Sequence, residues 1–248
     1  PLQMGIKGAL TTGDGDKVSG NTTINGLDQT PTGWANCGPT QSAIAGIRAE
    51  KGQTVTQNGG ATIIGNPPVL IDSTLKDTSF THYGSVSYTQ LASMATITLP
   101  GQNFATGIAP AVPNGVCDQT VPTNWGDPLN PTAPCANYWP IIHITGSATI
   151  NGQEGQGILL VDGDLSVQGG FQFYGITVVQ GQLKTAGGGG TPAHFWGATI
   201  VHDSVTLGAT NQISGSANLL YSSCAIQRAL EMTAMPTLMR SRSWTALF

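Results

Sequence analysis

The feature that most constrains this chain is a strand pattern that recurs at a nearly fixed interval in its C-terminal half. Gly157-Ile158-Leu159-Leu160-Val161-Asp162-Gly163 aligns with Gly175-Ile176-Thr177-Val178-Val179-Gln180-Gly181 and with Gly197-Ala198-Thr199-Ile200-Val201-His202-Asp203. A fourth unit is read as Ser216-Ala217-Asn218-Leu219-Leu220-Tyr221-Ser222. Each opens on a small residue, runs through an aliphatic stretch and closes on a turn former. The spacing of roughly 20 residues lies in the range of solenoid repeats, where each unit buries its apolar face only by stacking on its neighbours. Second short strands are expected at Asp164 to Gln168, Gln182 to Thr185 and Ser204 to Gly208, and Ile144 to Asn151 reads as an earlier coil. The pattern predicts an all-β fold, a parallel β-solenoid (β-helix). An antiparallel sandwich is the rival, and in-register repeats favour the solenoid.

Composition agrees with extended structure. Charged residues make up 9% of the chain, against about 25% in ordinary globular proteins, and there are 34 glycines. Ser, Thr, Asn and Gln take the place of charge, which suits side chains stacked on successive coils. The net charge is −4, and no Lys or Arg occurs between Lys76 and Lys184. Nucleic acid is bound through clustered cations, so that partner is excluded from the expectations.

Residues 1–140 read as an irregular β-rich region, and residues 141–248 as solenoid coils with a capping helix and a tail. In the first region Gly5 to Thr11, Val18 to Ile24, Gly59 to Ile64 and Val69 to Leu75 read as strands. Tyr88 to Thr96 reads as a short helix capped by Ser85 or Ser87. Residues 100–140, rich in Pro and Gly, form a long loop expected to cap or decorate the solenoid. Near the end, Ser222-Ser223 precedes a helix over Cys224 to Glu231 that Pro236 terminates. Such a helix is suited to covering an otherwise open end.

The four cysteines form no CxxC pair, so zinc is not expected. Cys117 and Cys135 bracket a Pro-, Asn- and Asp-rich segment with little core of its own, which a disulfide would order. Cys37–Cys224 then follows by elimination. An even cysteine count in a chain of this composition points to an oxidising, extracytoplasmic compartment, the periplasmic side of a membrane or the cell surface. No apolar run approaches the roughly 20 residues of a membrane span. A chain that opens on Pro1 leaves room for a processed upstream segment, and membrane association through such a segment is one expectation.

Gly157-Ile158-Leu159-Leu160-Val161-Asp162-Gly163-Asp164-Leu165, Ser222-Ser223-Cys224-Ala225 and Arg240-Ser241-Arg242-Ser243-Trp244 resemble the soluble region of PilX-type minor pilins and pilus-assembly proteins of the bacterial envelope. The likeness covers roughly residues 140–248. The apolar N-terminal helix of such pilins has no counterpart in this sequence. The resemblance implies an envelope β-domain and carries over no catalytic residues.

Chemistry-bearing groups are sparse. Asp162 and Asp164 flank Gly163, and Asp14 and Asp16 flank Gly15. Alternate strand residues share a face, so either pair could present two carboxylates, as a polysaccharide-active β-helix enzyme requires. Asp-Gly-Asp is also an ordinary turn, and the turn is the expectation. His82, His143, His194 and His202 show no metal-ligand spacing, and Gly187 to Gly190 lacks the Lys-Ser/Thr of a phosphate loop. Trp125, Tyr138 and Trp139 lie in the polar loop, either as an interface anchor or sugar platform or as a cover for the core beneath. Arg240, Arg242, Trp244 and Phe248 give the tail a basic and aromatic character suited to a partner. The sequence thus predicts a non-catalytic scaffold subunit, without cofactor or metal, that contacts other protein subunits of an envelope assembly. That assembly is either a pilus-like fibre or a membrane complex such as a respiratory or photosynthetic one. An adhesin or carbohydrate-binding module is the alternative, and a polysaccharide-active enzyme a more distant one.

Overall fold

The computed structural model describes residues 4–186, 192–202 and 211–232. The chain opens with seven short strands: β1 (Gly8–Thr12), β2 (Asp16–Val18), β3 (Thr23–Asn25), β4 (Ala45–Glu50), β5 (Val55–Gln57), β6 (Thr62–Ile64) and β7 (Val69–Asp72). A strap follows, made of α1 (Asp77–Thr81), the small hairpin β8 (His82–Tyr83) and β9 (Val86–Ser87), and α2 (Tyr88–Ser93). Then come β10 (Ile97–Pro100) and β11 (Asn103–Phe104), a long loop, β12 (Ile141–Thr145) and β13 (Ala148–Asn151). The repeats supply β14 (Glu154–Val161), β15 (Leu165–Gln168), β16 (Gln172–Val179), β17 (Leu183–Ala186), β18 (His194–Val201), β19 (Asn211–Ile213) and β20 (Asn218–Tyr221). Helix α3 (Ser223–Met232) ends the described chain.

Among the described residues, every strand pairing apart from the hairpin is parallel. The fold is mostly β, with an 11-stranded and a 7-stranded parallel sheet. From β10 to β20 consecutive strands alternate between the two sheets, and from β14 to β18 each stretch of about 20 residues adds one strand to each. Strands β14, β16 and β18 are long because each turns a corner at its central glycine, and Gly157, Gly175 and Gly197 stack in register. Their φ angles of +114°, +134° and +127° are ones that L side chains rarely adopt. The halves after the glycine belong to the column β10-β12-β14-β16-β18-β1-β4-β7. The halves before it belong to a column continued by β20, β3 and β6. The second sheet forms the third column, β11-β13-β15-β17-β19-β2-β5.

The stacking order is not the sequence order. Leu10, Thr11 and Thr12 of β1 pair with Thr199, Ile200 and Val201 of β18, and β2 and β3 pair likewise with β19 and β20. The chain's first strands therefore continue the stack where its last strands leave off. The sequence division at residue 140 does not divide the sheets, which run across it. To reach β10 from β7 the chain crosses the whole stack, seven steps of about 4.8 Å or roughly 34 Å. The strap makes this crossing over the outside of the first column.

This arrangement explains the aliphatic runs that mark the repeats. Inward-facing Leu159, Val161, Val179 and Val201 lie in the main core, together with Leu165, Val167, Leu183 and the rings of Phe171, Phe173 and Phe195, the first two stacked and Phe195 edge-on to Phe171. Outward-facing Ile158, Leu160, Ile176, Val178 and Ile200 form a second core under the strap and α3, against Phe80, Tyr83, Tyr88, Leu91, Ala225 and Ala229. Strands buried on both faces lose the alternation of a one-sided sheet. β13, β15 and β17, covered on one face, keep it: buried Leu165 and Val167 alternate with less buried Ser166 and Gln168.

The fourth repeat sits in a different register from the one expected. Alignment by small residues sets Leu219 opposite Ile200. In the structure Leu219 pairs with Phe195, Leu220 with Trp196 and Tyr221 with Gly197. β20 thus fills only the half-rung before the corner, because β1 occupies the half after it. The expected strand at Val18 to Ile24 is two strands around a corner at Ser19 to Thr22. The helix expected at Tyr88 is present with Ser87 as its cap, Ser87 Oγ accepting from the Gln90 amide. The strand at Ser204 to Gly208, the Gly187 to Gly190 run, Pro236 and the tail lie outside the described residues.

Candidate functional site

The loop after β11 closes one end of the stack. That end exposes the last core layer, where Ile97, Phe104 and Ile150 would otherwise face water. Trp125 fills this position with 0% of its surface exposed, its ring 6.0 Å from that of Phe104. The Cys117–Cys135 disulfide closes the loop, as its composition led one to expect. Gln156, buried at the corner before Gly157, donates through Nε2 to the carbonyls of Ala136 and Tyr138 at 2.8 Å each. One amide thereby satisfies loop carbonyls that burial would leave unpaired. Trp125, Tyr138 and Trp139 are all buried. Of the two readings open in the sequence, cover for the core or accessible platform, the structure has Trp125 in the main core and Trp139 packed against Trp34 in the second. The tail residues Arg240, Arg242, Trp244 and Phe248 lie outside the described residues.

Of the titratable side chains singled out in the sequence, Asp162, His143 and His202 are grouped beneath the strap. Asp162 Oδ1 accepts from Tyr88 Oη at 2.8 Å and lies 2.8 Å from His143 Nε2. One rung on, Gln180 donates to the Phe80 carbonyl and meets His202 Nδ1 at 2.9 Å. His202 Nε2 lies 2.7 Å from Asp77 Oδ1, and its ring stacks on Phe80. Burial, then the neighbouring Asp162 carboxylate, push the Tyr88 hydroxyl far above its ordinary value, and burial does the same for Tyr83. Both phenols therefore stay protonated donors, and Tyr83 donates to the Phe80 carbonyl. The Asp162–Asp164 pair does not converge. Asp164 turns away to accept from the Gln182 amide, as a turn residue does. Asp14 likewise accepts from the next amide, while Asp16 is buried against Asn211. Among the described residues no three His, Cys, Asp or Glu side chains are placed to hold a metal ion.

A third cluster lies near the place where the first strands of the chain stack on its last. Cys37, in the loop between β3 and β4, is bonded to Cys224 of α3. In the same loop Asp28 accepts from the Ser223 amide and hydroxyl at 2.7 Å each, and Ser222 Oγ accepts from the Ala225 amide. Arg228 places its guanidinium 4.5 Å from the centre of the Trp34 ring and donates to the Ala35 carbonyl. Trp34 continues a row of stacked rings, 5.3 Å from Tyr174, which lies 6.0 Å from Trp196, with His194 6.3 Å beyond. Two shallow grooves flank α3, one bounded by Ile6, Pro39, Tyr221 and Ile226, the other by Asn36, Thr132, Trp139 and Arg228. The ring row was missed in the sequence, although a signal was present. Phe173-Tyr174-Gly175 and Phe195-Trp196-Gly197 repeat an aromatic pair immediately upstream of the corner glycine.

His194 gives this row a pH dependence. Its Nδ1 is buried without a hydrogen-bond partner, and burial holds its pKa below the ordinary 6.5. The unfolded chain then takes up the proton first, so stability is full above 6.5 and declines as pH falls below it. Thermal unfolding from about pH 7 to about pH 5 is expected to show this loss, and His194→Gln should remove that component of the slope.

The chain matches no protein-family model, no curated protein and no solved structure. No helix among the described residues is long and apolar enough to cross a membrane.

Proposed function

We propose that this chain is a non-catalytic structural subunit of an extracytoplasmic assembly in the bacterial envelope, its three columns winding as a parallel β-solenoid that serves as a rigid spacer. The observation that carries the reading is the use made of the polar groups. Asp162, His143, Gln180, His202 and Asp77 fasten the strap, and Asp28 and Arg228 fasten α3. Side chains that elsewhere perform chemistry are committed here to holding elements in place. Two disulfides support an oxidising compartment. The resemblance to PilX-type pilins supports an envelope setting, with a pilus-like fibre or a membrane complex as the host. The carbohydrate-binding alternative rested on Trp125, Tyr138 and Trp139, and the burial of all three rings leaves it without that support.

The test is crosslinking in intact cells, followed by affinity purification and identification of co-purifying subunits. The expected result is a fixed set of envelope proteins at constant stoichiometry. Recovery of the chain free of any other subunit would remove the reading.

A further inference from the structure

The two ends of the stack are built differently. At the β10 and β11 end the disulfide-closed loop covers the last core layer with Trp125. At the other end the stack stops at β5, β6 and β7, and among the described residues no strand pairs with their free edges. The inward-facing residues of that last layer are the next members of the core columns. Val69 stacks on Ile47, Ile71 on Ala49, Ile63 on Ile24 and Gln57 on Val18. Exposure changes abruptly across one step: Ala49 is 0% exposed, while Ile71, directly above it and equally directed at the core axis, is 48% exposed. This end presents a cross-section through the core, with the unpaired backbone of three strands around it.

Exposed strand edges are commonly blunted by lysines, prolines or inward-pointing charges. Here β5, β6 and β7 read Val-Thr-Gln, Thr-Ile-Ile and Val-Leu-Ile-Asp, without Lys, Arg or Pro. Their one charge, Asp72, is neutralised by Arg48 at 2.7 Å. The surrounding segment, residues 45–77, carries Arg48, Lys51 and Lys76 against Glu50, Asp72 and Asp77, three charges of each sign. An end that is apolar at its centre and balanced at its rim does not repel a copy of itself. Helix α3 is not positioned to cover it, since it packs on β14, β16 and β18, several rungs away.

We infer that the β5–β6–β7 end pairs with the same end of a second copy of this chain. A two-fold axis perpendicular to the stack makes the contact isologous. It reverses the direction of the facing strands, so the free edges meet antiparallel and the two half-exposed core layers close on each other. The covered end then lies at both extremities of the pair. Growth stops at two copies, because at the far end the core layer is already covered by Trp125. This association concerns the chain with itself and stands independently of its membership of an envelope assembly.

The experiment is light scattering coupled to size exclusion, and sedimentation over a concentration series, on the purified oxidised chain. Twice the monomer mass is expected, without larger polymers. Ile71→Lys places an unpaired charge in the contact, and the dimer should weaken at least about a hundredfold with unchanged circular dichroism. Gln57→Lys, at another position of the same layer, serves if Ile71→Lys impairs folding. Val116→Lys, at a position 68% exposed on the covering loop, should leave the dimer intact. A monomer at every concentration overturns the inference. So do open-ended polymers, or a dimer that Val116→Lys disrupts and the Ile71 and Gln57 variants do not.

Discussion

Replacing Cys37 and Cys224 together by serine is expected to destabilise the fold by about 5 kcal/mol, more than the about 3 kcal/mol expected for the Cys117 and Cys135 pair. The difference follows from chain length. The first bond joins residues 187 apart and the second residues 18 apart, and the entropy removed from the unfolded chain grows with the logarithm of the loop. Single domains are stable by roughly 5–15 kcal/mol, so loss of the longer crosslink removes a large share of the total. Denaturant unfolding of the two double variants checks both the size and the order of the effects.

The site of damage is also specified. Cys37–Cys224 spans the seam where the last strands of the chain meet the first. The seam's pairings are short: Leu10–Thr12 against Thr199–Val201, Asp16–Val18 against Asn211–Ile213, and Thr23–Asn25 against Asn218–Leu220. The β14–β16 step, by comparison, is in register over all of Glu154–Val161. With the crosslink gone, amide exchange should accelerate first in β1, β3 and β20, while β14 and β16 stay protected. Uniform acceleration through the stack would show that the bond acts on global stability and not on the seam.

The repeats could be read from the sequence because their strands are buried on both faces. Ile158 to Val161 form an unbroken apolar run, and Ile176 to Val179 one broken only by Thr177, because the strap and α3 cover the outside while the core fills the inside. What covers the outside could not be read: Phe80, Tyr83 and Tyr88 are separated from their partners by the full length of the crossing, and nothing local marks them. The stacking of β1 on β18 was equally hidden. Parallel pairing between distant segments depends on which edges remain free, and local periodicity carries no information about that. One trace did survive, since assigning Cys37 to Cys224 by elimination already tied the two ends together. The fourth repeat was set in the wrong register because Ser216 was taken as the counterpart of a corner glycine, whereas Tyr221 holds that position. Trp125, Tyr138 and Trp139 were ambiguous because a loop of polar composition gives no sign that its aromatic residues point inward.

The corner glycines lead to the second large expected effect. Gly175→Ala should cost roughly 4 kcal/mol, from backbone strain of about 1–3 kcal/mol and overpacking of about 1–3 kcal/mol. At φ +134° an L residue is strained, and a Cβ there would run into the carbonyl oxygen of Gly157 on the rung below, with the Ala229 methyl of α3 3.2 Å away on the other side. Neither neighbour can yield easily. Gly157 is itself held against Pro140, whose carbonyl accepts from the Ile158 amide at 3.0 Å, and Ala229 is clamped by the seam through α3. Gly33 provides the control, with φ +82° and nothing within 4 Å of an added Cβ, so Gly33→Ala should show only the strain of about 1–2 kcal/mol. If denaturant unfolding gives the two substitutions equal costs, the close approach of the stacked glycines contributes nothing. If Gly175→Ala costs more by the expected margin, the glycine that opens each of the first three repeats is the corner itself, the point where β14, β16 and β18 each serve two columns and where a side chain would meet the rung below.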